Sequence, residues 1–172
     1  MSIDNKEFQI EEARASLDRI LEFFPKTESK ALFILSINSA TVALIAFNIA
    51  WVLEALWLLA IVLPWALFSA LSFIEVYRAI YPHLSGPAKS KIYFGTIAKM
   101  KNNEFEVEFK STSLDEWIKD YAEQIWINSK ILELKFRRTE RAFVFAAIAL
   151  IFTFAYLASG TLSLGHTPIF NP

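Results

Sequence analysis

The chain has 172 residues, of which 55% are hydrophobic and 15% aromatic, and its formal net charge is −1. This length fits one domain or one compact membrane bundle, and a nearly neutral chain is not expected to attract nucleic acid electrostatically. The sequence contains no cysteine, which excludes disulfides, thiolate metal sites and thiol catalysis.

The N-terminal 30 residues are acidic and lack the apolar stretch of a signal peptide. Within residues 7–24, apolar side chains recur at helical spacing and predict an amphipathic helix. We expect this helix to end at Pro25, because the residue before a proline avoids the helical conformation. Acidic residues outnumber basic ones here, so packing against protein is favoured over lying on lipid. Residues 1–30 are therefore predicted to be a cytoplasmic amphipathic helix.

Two uncharged runs, Ala31–Leu53 and Ala55–Ile74, follow with only Glu54 between them. About 20 apolar residues cross roughly 30 Å of hydrocarbon, so residues 31–77 predict a transmembrane helical hairpin with spans near 31–53 and 55–77. Trp51 and Trp57 are expected to anchor it at the membrane interface. The second span should also be kinked by Pro64 and end in an ion pair between Glu75 and Arg78.

The first span carries Asn38, Thr41 and Asn48 on one helical face. Polar side chains in a membrane either form hydrogen bonds across helices or line a polar path. The sequence leaves both interpretations open.

A loop with prolines and a glycine follows the hairpin, and four lysines then surround Tyr93 and Phe94. A nucleotide base can stack on an aromatic ring while a lysine meets the phosphate, but a cationic loop can also touch anionic lipid. Residues 104–110, EFEVEFK, alternate as a half-exposed strand does. A loop or a partner's edge is an equally good interpretation of that segment.

A capping box at Ser113–Glu116 marks the start of a helix, and no glycine or proline follows until Gly160. The pattern predicts one helix of about 45 residues. Its first part would be a cytoplasmic stalk and residues 142–164 a third transmembrane span, with 165–172 as an external tail. At the boundary, Arg137, Arg138 and Arg141 are placed to reach lipid headgroups.

The stalk also shows a heptad spacing, in which a lone Asn128 would fix register and oligomeric state. Self-association and packing against the N-terminal helix are both compatible with this seam, and Lys135 within it could reach an anion. The positions of the seam are Leu114, Ile118, Tyr121, Ile125, Asn128, Leu132 and Lys135.

All 17 lysines and arginines fall in residues 1–30 or 78–141. A three-span topology puts both segments on one side, which the positive-inside rule identifies as cytoplasmic. The sequence thus predicts an all-α membrane protein of three transmembrane helices, with a helical cytoplasmic region, a cytoplasmic N-terminus and an external C-terminus.

Catalytic signatures are absent from the sequence, and the two histidines, His83 and His166, lie far apart. We therefore expect no metal site, no resident cofactor and no enzymatic activity.

A series of short motifs occurs in order along residues 27–150: Glu28-Ser29-Lys30-Ala31, Asn38, Tyr81-Pro82, Tyr93-Phe94-Gly95, Asp120, Gln124, Asn128 and Lys135. This series resembles the transmembrane effectors of Pycsar antiphage defence systems, with Glu28 standing where the family pattern has an aspartate. The resemblance implies that the external C-terminus is periplasmic.

The resemblance implies a membrane effector of the bacterial inner membrane, acting with a companion cyclase that makes cyclic CMP or cyclic UMP on infection. Such an effector responds to the messenger by impairing the membrane, which halts growth before phage release. Chemistry then suggests Lys91, Tyr93, Lys135 and Arg138 as nucleotide contacts, and the seam suggests a homo-oligomer. The alternative is a constitutive membrane scaffold without ligand gating.

Overall fold

The computed structural model describes residues 3–49, 52, 55–81, 86–87 and 89–164, with side chains described as far as Ser159. All of the regular elements in these ranges are helical. They are α1 (Ile3–Phe47), a 3-10 turn (Leu56–Leu58), α2 (Leu59–Ile80), the single turn α3 (Phe94–Ile97), α4 (Asn102–Ser111) and α5 (Leu114–Leu164).

The chain divides into two compact units. We call residues up to Thr27 together with Tyr81–Phe136 the polar unit, and Glu28–Ile80 together with the chain from Arg137 onward the apolar unit. Helices α1 and α5 each contribute residues to both units.

Within the described residues, three helical segments are long and apolar enough to cross a membrane: Ile3–Phe47, Leu56–Ile80 and Leu114–Ser159. The predicted all-α architecture with three apolar helices is therefore confirmed. The prediction of one continuous helix after the capping box is confirmed as well, because α5 runs without interruption from Leu114 to Leu164. The predicted turn at Glu54 and the anchor Trp51 lie outside the described residues.

The prediction that the first helix ends at Pro25 is wrong, because Pro25 lies inside α1. Proline removes one backbone hydrogen bond and crowds the carbonyl four residues earlier, but it does so at one position only. More than 20 helical residues flank it on either side, and the Thr27 hydroxyl donates to the carbonyl of Phe23 at 2.9 Å. The many remaining bonds outweigh the missing one.

Residues 104–110 are also not a strand or loop, because they belong to α4. The alternation that resembled a strand comes from glutamates at every second position, and glutamate is a good helix former. Two contacts at i,i+4 spacing support it: Lys110 donates to Glu106 at 2.5 Å, and the rings of Phe105 and Phe109 lie 5.7 Å apart. The amide of Lys101 donates to the Glu104 carboxylate at 3.3 Å, which closes the start of the helix.

The interior of the apolar unit contains many small side chains beside larger ones such as Trp65 and Tyr156. Buried alanines and serines let the helices approach closely, as in membrane bundles; they are Ala31, Ala79, Ala142, Ala146, Ala149, Ser69 and Ser72. Other large apolar side chains point outward, as expected of a surface in contact with lipid; they include Phe33, Leu63, Leu67, Phe143, Ile151 and Phe154. The predicted pair of Glu75 and Arg78 is confirmed at 3.5 Å.

Burial along the first part of α5 differs from the predicted heptad seam. Leu132 and Lys135 of the seam are buried, but its other members are only partly so. Asp120 and Gln124, which are outside the seam, are 8% and 4% exposed. The buried stripe therefore passes through these two polar residues, and both contact the loop after α2.

Candidate ligand-binding cleft

A cleft of about 710 Å³ lies in the polar unit, between the segment that begins at Gly86 and the end of α4. Ligand sites of proteins typically have volumes of about 300–1,000 Å³. Three lysines and two glutamates supply its charges, together with several hydroxyl groups. The lining residues are Gly86, Pro87, Lys89, Ser90, Lys91, Tyr93, Gly95, Thr96, Lys99, Met100, Glu108, Ser111, Thr112 and Glu116.

The loop that carries the lysines is shaped by the buried side chain of Ser90. Its Oγ accepts hydrogen bonds from the backbone N–H of Ile92 at 3.2 Å and of Tyr93 at 2.9 Å. A serine that binds the amides two and three residues ahead forms a side-chain turn. One turn later, the Thr96 hydroxyl donates to the carbonyl of Pro87 at 2.9 Å and closes the loop.

Helix α5 holds the same loop through two side chains. The carboxylate Oδ2 of Asp120 accepts the backbone N–H of Lys91 at 2.7 Å, and Nε2 of Gln124 donates to Ser90 Oγ at 3.1 Å. Residues four apart lie on the same side of a helix, so both contacts come from one face of α5. The positions of Ser90, Lys91 and Tyr93 are thereby tied to this helix.

Another side of the cleft is formed by the end of α4 and the start of α5. The predicted capping box is confirmed there, because the Glu116 carboxylate accepts from the amide of Ser113 at 2.9 Å and from its hydroxyl at 3.0 Å. These two bonds, and then the positive charge of Lys91, lower the pKa of Glu116 below its ordinary value of 4.5. Glu116 is thus ionised at neutral pH and balances part of the lysine charge.

Two glycines make room for the ring of Tyr93. A Cβ atom on Gly95 would lie 2.6 Å from Cε1 of Tyr93, and one on Gly86 would also overlap the ring. The ring of Phe94 lies 4.9 Å from that of Tyr93, measured between centroids. The sequence Tyr93-Phe94-Gly95 thus supplies an aromatic wall that larger residues at the two glycine positions would displace.

Of the four residues suggested as nucleotide contacts, the structure brings Lys91 and Tyr93 to this cleft. Lys135 is not among the lining residues; it is buried in the polar unit, with its ammonium 6.0 Å from the centre of the Phe24 ring. Arg138 belongs to the apolar unit, where its guanidinium donates to the carbonyl of Arg78 at 2.7 Å.

The polar residues of the first span do not share one environment. Asn38 and Thr41 are buried in the apolar unit, and the amide of Asn38 donates to Ser72 on α2. Asn48 is exposed, and its side-chain amide donates to the carbonyl of Leu44 on the same turn of chain at 2.8 Å.

Sequence reasoning missed Ser90 and gave no role to Asp120 and Gln124. A signal for the latter two was present, since Asp120, Gln124 and Asn128 recur every four residues and so share one helical face. Ser90 gave no comparable signal, because a serine in a loop is common and only its contacts distinguish it.

The comparison with protein families matches residues 12–161 to the Pycsar effector protein domain. No curated protein and no solved structure matched the chain. The matched range includes the cleft, most of the first apolar helix and all of the other two apolar segments, and it covers more than half of the chain. The chain therefore belongs to the Pycsar effector family, whose members act in antiphage defence.

Proposed function

We propose that this protein is a membrane effector that is activated by cyclic CMP or cyclic UMP and then impairs the bacterial inner membrane. The observation that carries the proposal is the cleft in which Lys91 and Tyr93 meet two further lysines, Lys89 and Lys99. Family membership supplies the class of ligand, since a Pycsar effector implies a companion cyclase and a cyclic nucleotide.

The cleft offers a counterpart for each part of such a ligand. A cyclic mononucleotide has one negative phosphodiester, which the lysine ammonium groups can meet as charge-assisted donors. Its base can stack on the ring of Tyr93. The ribose hydroxyl and the base edge can form hydrogen bonds with the carboxylate of Glu108 and the hydroxyl of Thr96.

The polar unit faces the cytoplasm in this proposal, because the cyclase makes its product there and because the lysines and arginines fall on one side of a three-span topology. Binding shifts the protein toward the state that holds the nucleotide more tightly. The response in the apolar unit is a rearrangement or assembly of its helices, with homo-oligomers as the active form. The protein performs no catalysis and needs no resident cofactor.

Calorimetry on the detergent-purified protein tests the sensor role, with cyclic CMP, cyclic UMP and cyclic AMP as titrants. Selective binding of a pyrimidine nucleotide supports it. Binding should weaken about 10- to 100-fold in K91A, which loses a charge-assisted bond, and about 5- to 150-fold in Y93A, which loses a stacking surface. K130A removes an exposed lysine outside the cleft and should bind as the parent protein does.

The variants K135A and R138A test whether nucleotide binding depends on suggested contact residues that lie outside the cleft. Neither residue lines the cleft, so both variants should bind nucleotide if the cleft is the site. The protein is then reconstituted into liposomes that enclose a dye, and release of the dye tests the response of the membrane. Absence of binding and of dye release with every nucleotide would reject the proposal and favour a constitutive scaffold.

A further inference from the structure

The loop of the cleft has two separable sets of hydrogen bonds. One set is internal, because Ser90 Oγ accepts from the amides of Ile92 and Tyr93. The other set joins the loop to α5 through Asp120 and Gln124. Loss of the second set leaves the internal turn with all of its own bonds.

The Gln124 contact of the second set is itself held in place by the next turn of α5. Nδ2 of Asn128 donates to the backbone carbonyl of Gln124 at 2.8 Å and lies 3.3 Å from its side-chain Oε1. Because Oε1 accepts from Asn128, the Nε2 donor of Gln124 is directed toward Ser90. Asn128, Gln124 and Ser90 thus form one connected path of hydrogen bonds from α5 to the loop, and the bond between Lys91 and Asp120 is a second, separate connection.

Stability alone does not account for these polar residues. Asp120 is 8% exposed, and within the described part of the chain its Oδ1 has no hydrogen-bond partner. A buried carboxylate with an unsatisfied oxygen is unfavourable, and apolar side chains at such a position are often as stable or more so. The other carboxylate oxygen, Oδ2, nevertheless accepts a hydrogen bond from the backbone N–H of Lys91 at 2.7 Å.

We propose that Asp120 and Gln124 are positioning residues that transmit nucleotide binding from the cleft to α5. The inference rests on the proposed function, because it requires that a ligand contact Lys91 and Tyr93. A ligand that moves these two residues must move the loop, and two bonds one helical turn apart make α5 follow it. Since α5 continues to Leu164, the same helix includes the third apolar segment.

The variant Q124L tests transmission apart from binding. Leucine approximates the shape of glutamine but cannot donate to Ser90, whereas the bonds from Ile92 and Tyr93 to Ser90 remain. We expect a Kd for the cyclic nucleotide within about threefold of the parent value. The nucleotide concentration that gives half-maximal dye release, divided by Kd, should rise by at least about fivefold, as loss of a coupling free energy requires.

A pair of variants at Asp120 provides an independent test. Asparagine keeps a carbonyl oxygen that can accept the amide of Lys91, so D120N should release dye with nearly the parent sensitivity. Leucine offers no acceptor, so D120L should bind nucleotide but respond weakly. The control S129A alters an exposed position on the same helix and should behave as the parent protein does.

Three results would overturn the inference. Q124L could release dye with parent sensitivity, which would show that the contact transmits nothing. Alternatively, Q124L and D120L could lose binding and release together while D120N keeps both, which would confine the two residues to ligand binding. Failure of the parent protein to bind any cyclic nucleotide would reject the proposed function itself, and the titration of the parent protein reveals that case before any variant is compared.

Discussion

The side-chain amide of Asn38 donates a hydrogen bond to the Ser72 hydroxyl at 2.7 Å, and that hydroxyl donates to the carbonyl oxygen of Ala142 at 2.8 Å. The three residues belong to α1, α2 and α5, so one chain of hydrogen bonds joins the three apolar helices. Asn38 is 1% exposed and Ser72 is fully buried. Polar contacts of this kind contribute about 0.6–2 kcal/mol each in membrane proteins.

We therefore expect N38L to lower the free energy of unfolding of the apolar unit by about 1–2 kcal/mol. S72A should have a similar effect, and the double variant should fall short of the sum because both changes remove the same bond. Unfolding in detergent micelles measures all three. S39A is the matched control, since its exposed hydroxyl donates only to Leu35 on its own helix. Equal stability of N38L and S39A would contradict a stabilising role.

The sequence predicted the three apolar helices because length and composition suffice for that conclusion. It also singled out Asn38 as a polar residue within the first span, but it did not decide between a bond across helices and a polar path, and it did not identify the partner. Helical periodicity gives the face on which a residue lies, whereas the pairing of Asn38 with Ser72 depends on how α1 and α2 are aligned along their lengths. A single sequence carries no information on that alignment.

In the cleft as well, the sequence grouped residues that are close in the chain but did not identify contacts between distant residues. Lys91 and Tyr93 are two residues apart, so their proximity in the chain was enough to group them. Asp120 is 29 positions from Lys91, and its contact depends on the course of the chain through α4. That course was not predictable while residues 104–110 could be interpreted as a strand, because an alternation of only seven residues does not distinguish the two periods.

The proline inside α1 gives a second prediction. Pro25 is exposed, so replacing it with alanine removes little packing and restores one backbone hydrogen bond. Proline is about 3 kcal/mol less favourable than alanine within a helix, although it also restricts the unfolded chain. We expect P25A to raise the free energy of unfolding by about 1–3 kcal/mol, as measured by thermal unfolding followed by circular dichroism. A lowered melting temperature would show that the proline is needed for the packing of α1.

The capped start of α5 gives a prediction on pH. Bonds from Ser113, assisted by the charge of Lys91, lower the pKa of Glu116 in the folded protein below the ordinary value of 4.5. The resulting stabilisation is fully present above that ordinary value and is lost as the pH falls through the lowered pKa. Amide hydrogen exchange of Glu116 and Trp117, corrected for intrinsic rates, should therefore show progressive loss of protection in acid.

The variant E116Q removes the titrating group and serves as the control for this pH effect. Its protection at the start of α5 should be lower than that of the parent protein at neutral pH and nearly independent of pH. The variant K91A should raise the pKa of Glu116, because it removes one of the causes of the shift. A parent protein whose protection stays constant down to the most acidic pH would show that the carboxylate does not stabilise the helix start.

The close approach of Gly95 to Tyr93 gives the last prediction. A Cβ atom at residue 95 would lie 2.6 Å from Cε1 of the ring, which is much shorter than van der Waals contact. The ring must therefore move in G95A, and overpacking of this kind costs about 1–3 kcal/mol. We expect G95A to unfold at lower temperature and to bind the cyclic nucleotide more weakly, because the stacking surface is displaced.

A double-mutant cycle attributes the loss to the ring. In Y93A the atoms that a Cβ at residue 95 would meet are gone, and alanine is the better helix former within α3. The substitution G95A should thus destabilise the parent protein but leave Y93A unchanged or slightly more stable, and the difference between the two effects measures the contact. An equal loss of stability in both backgrounds would mean that Gly95 is needed for its backbone conformation and that its closeness to Tyr93 is incidental.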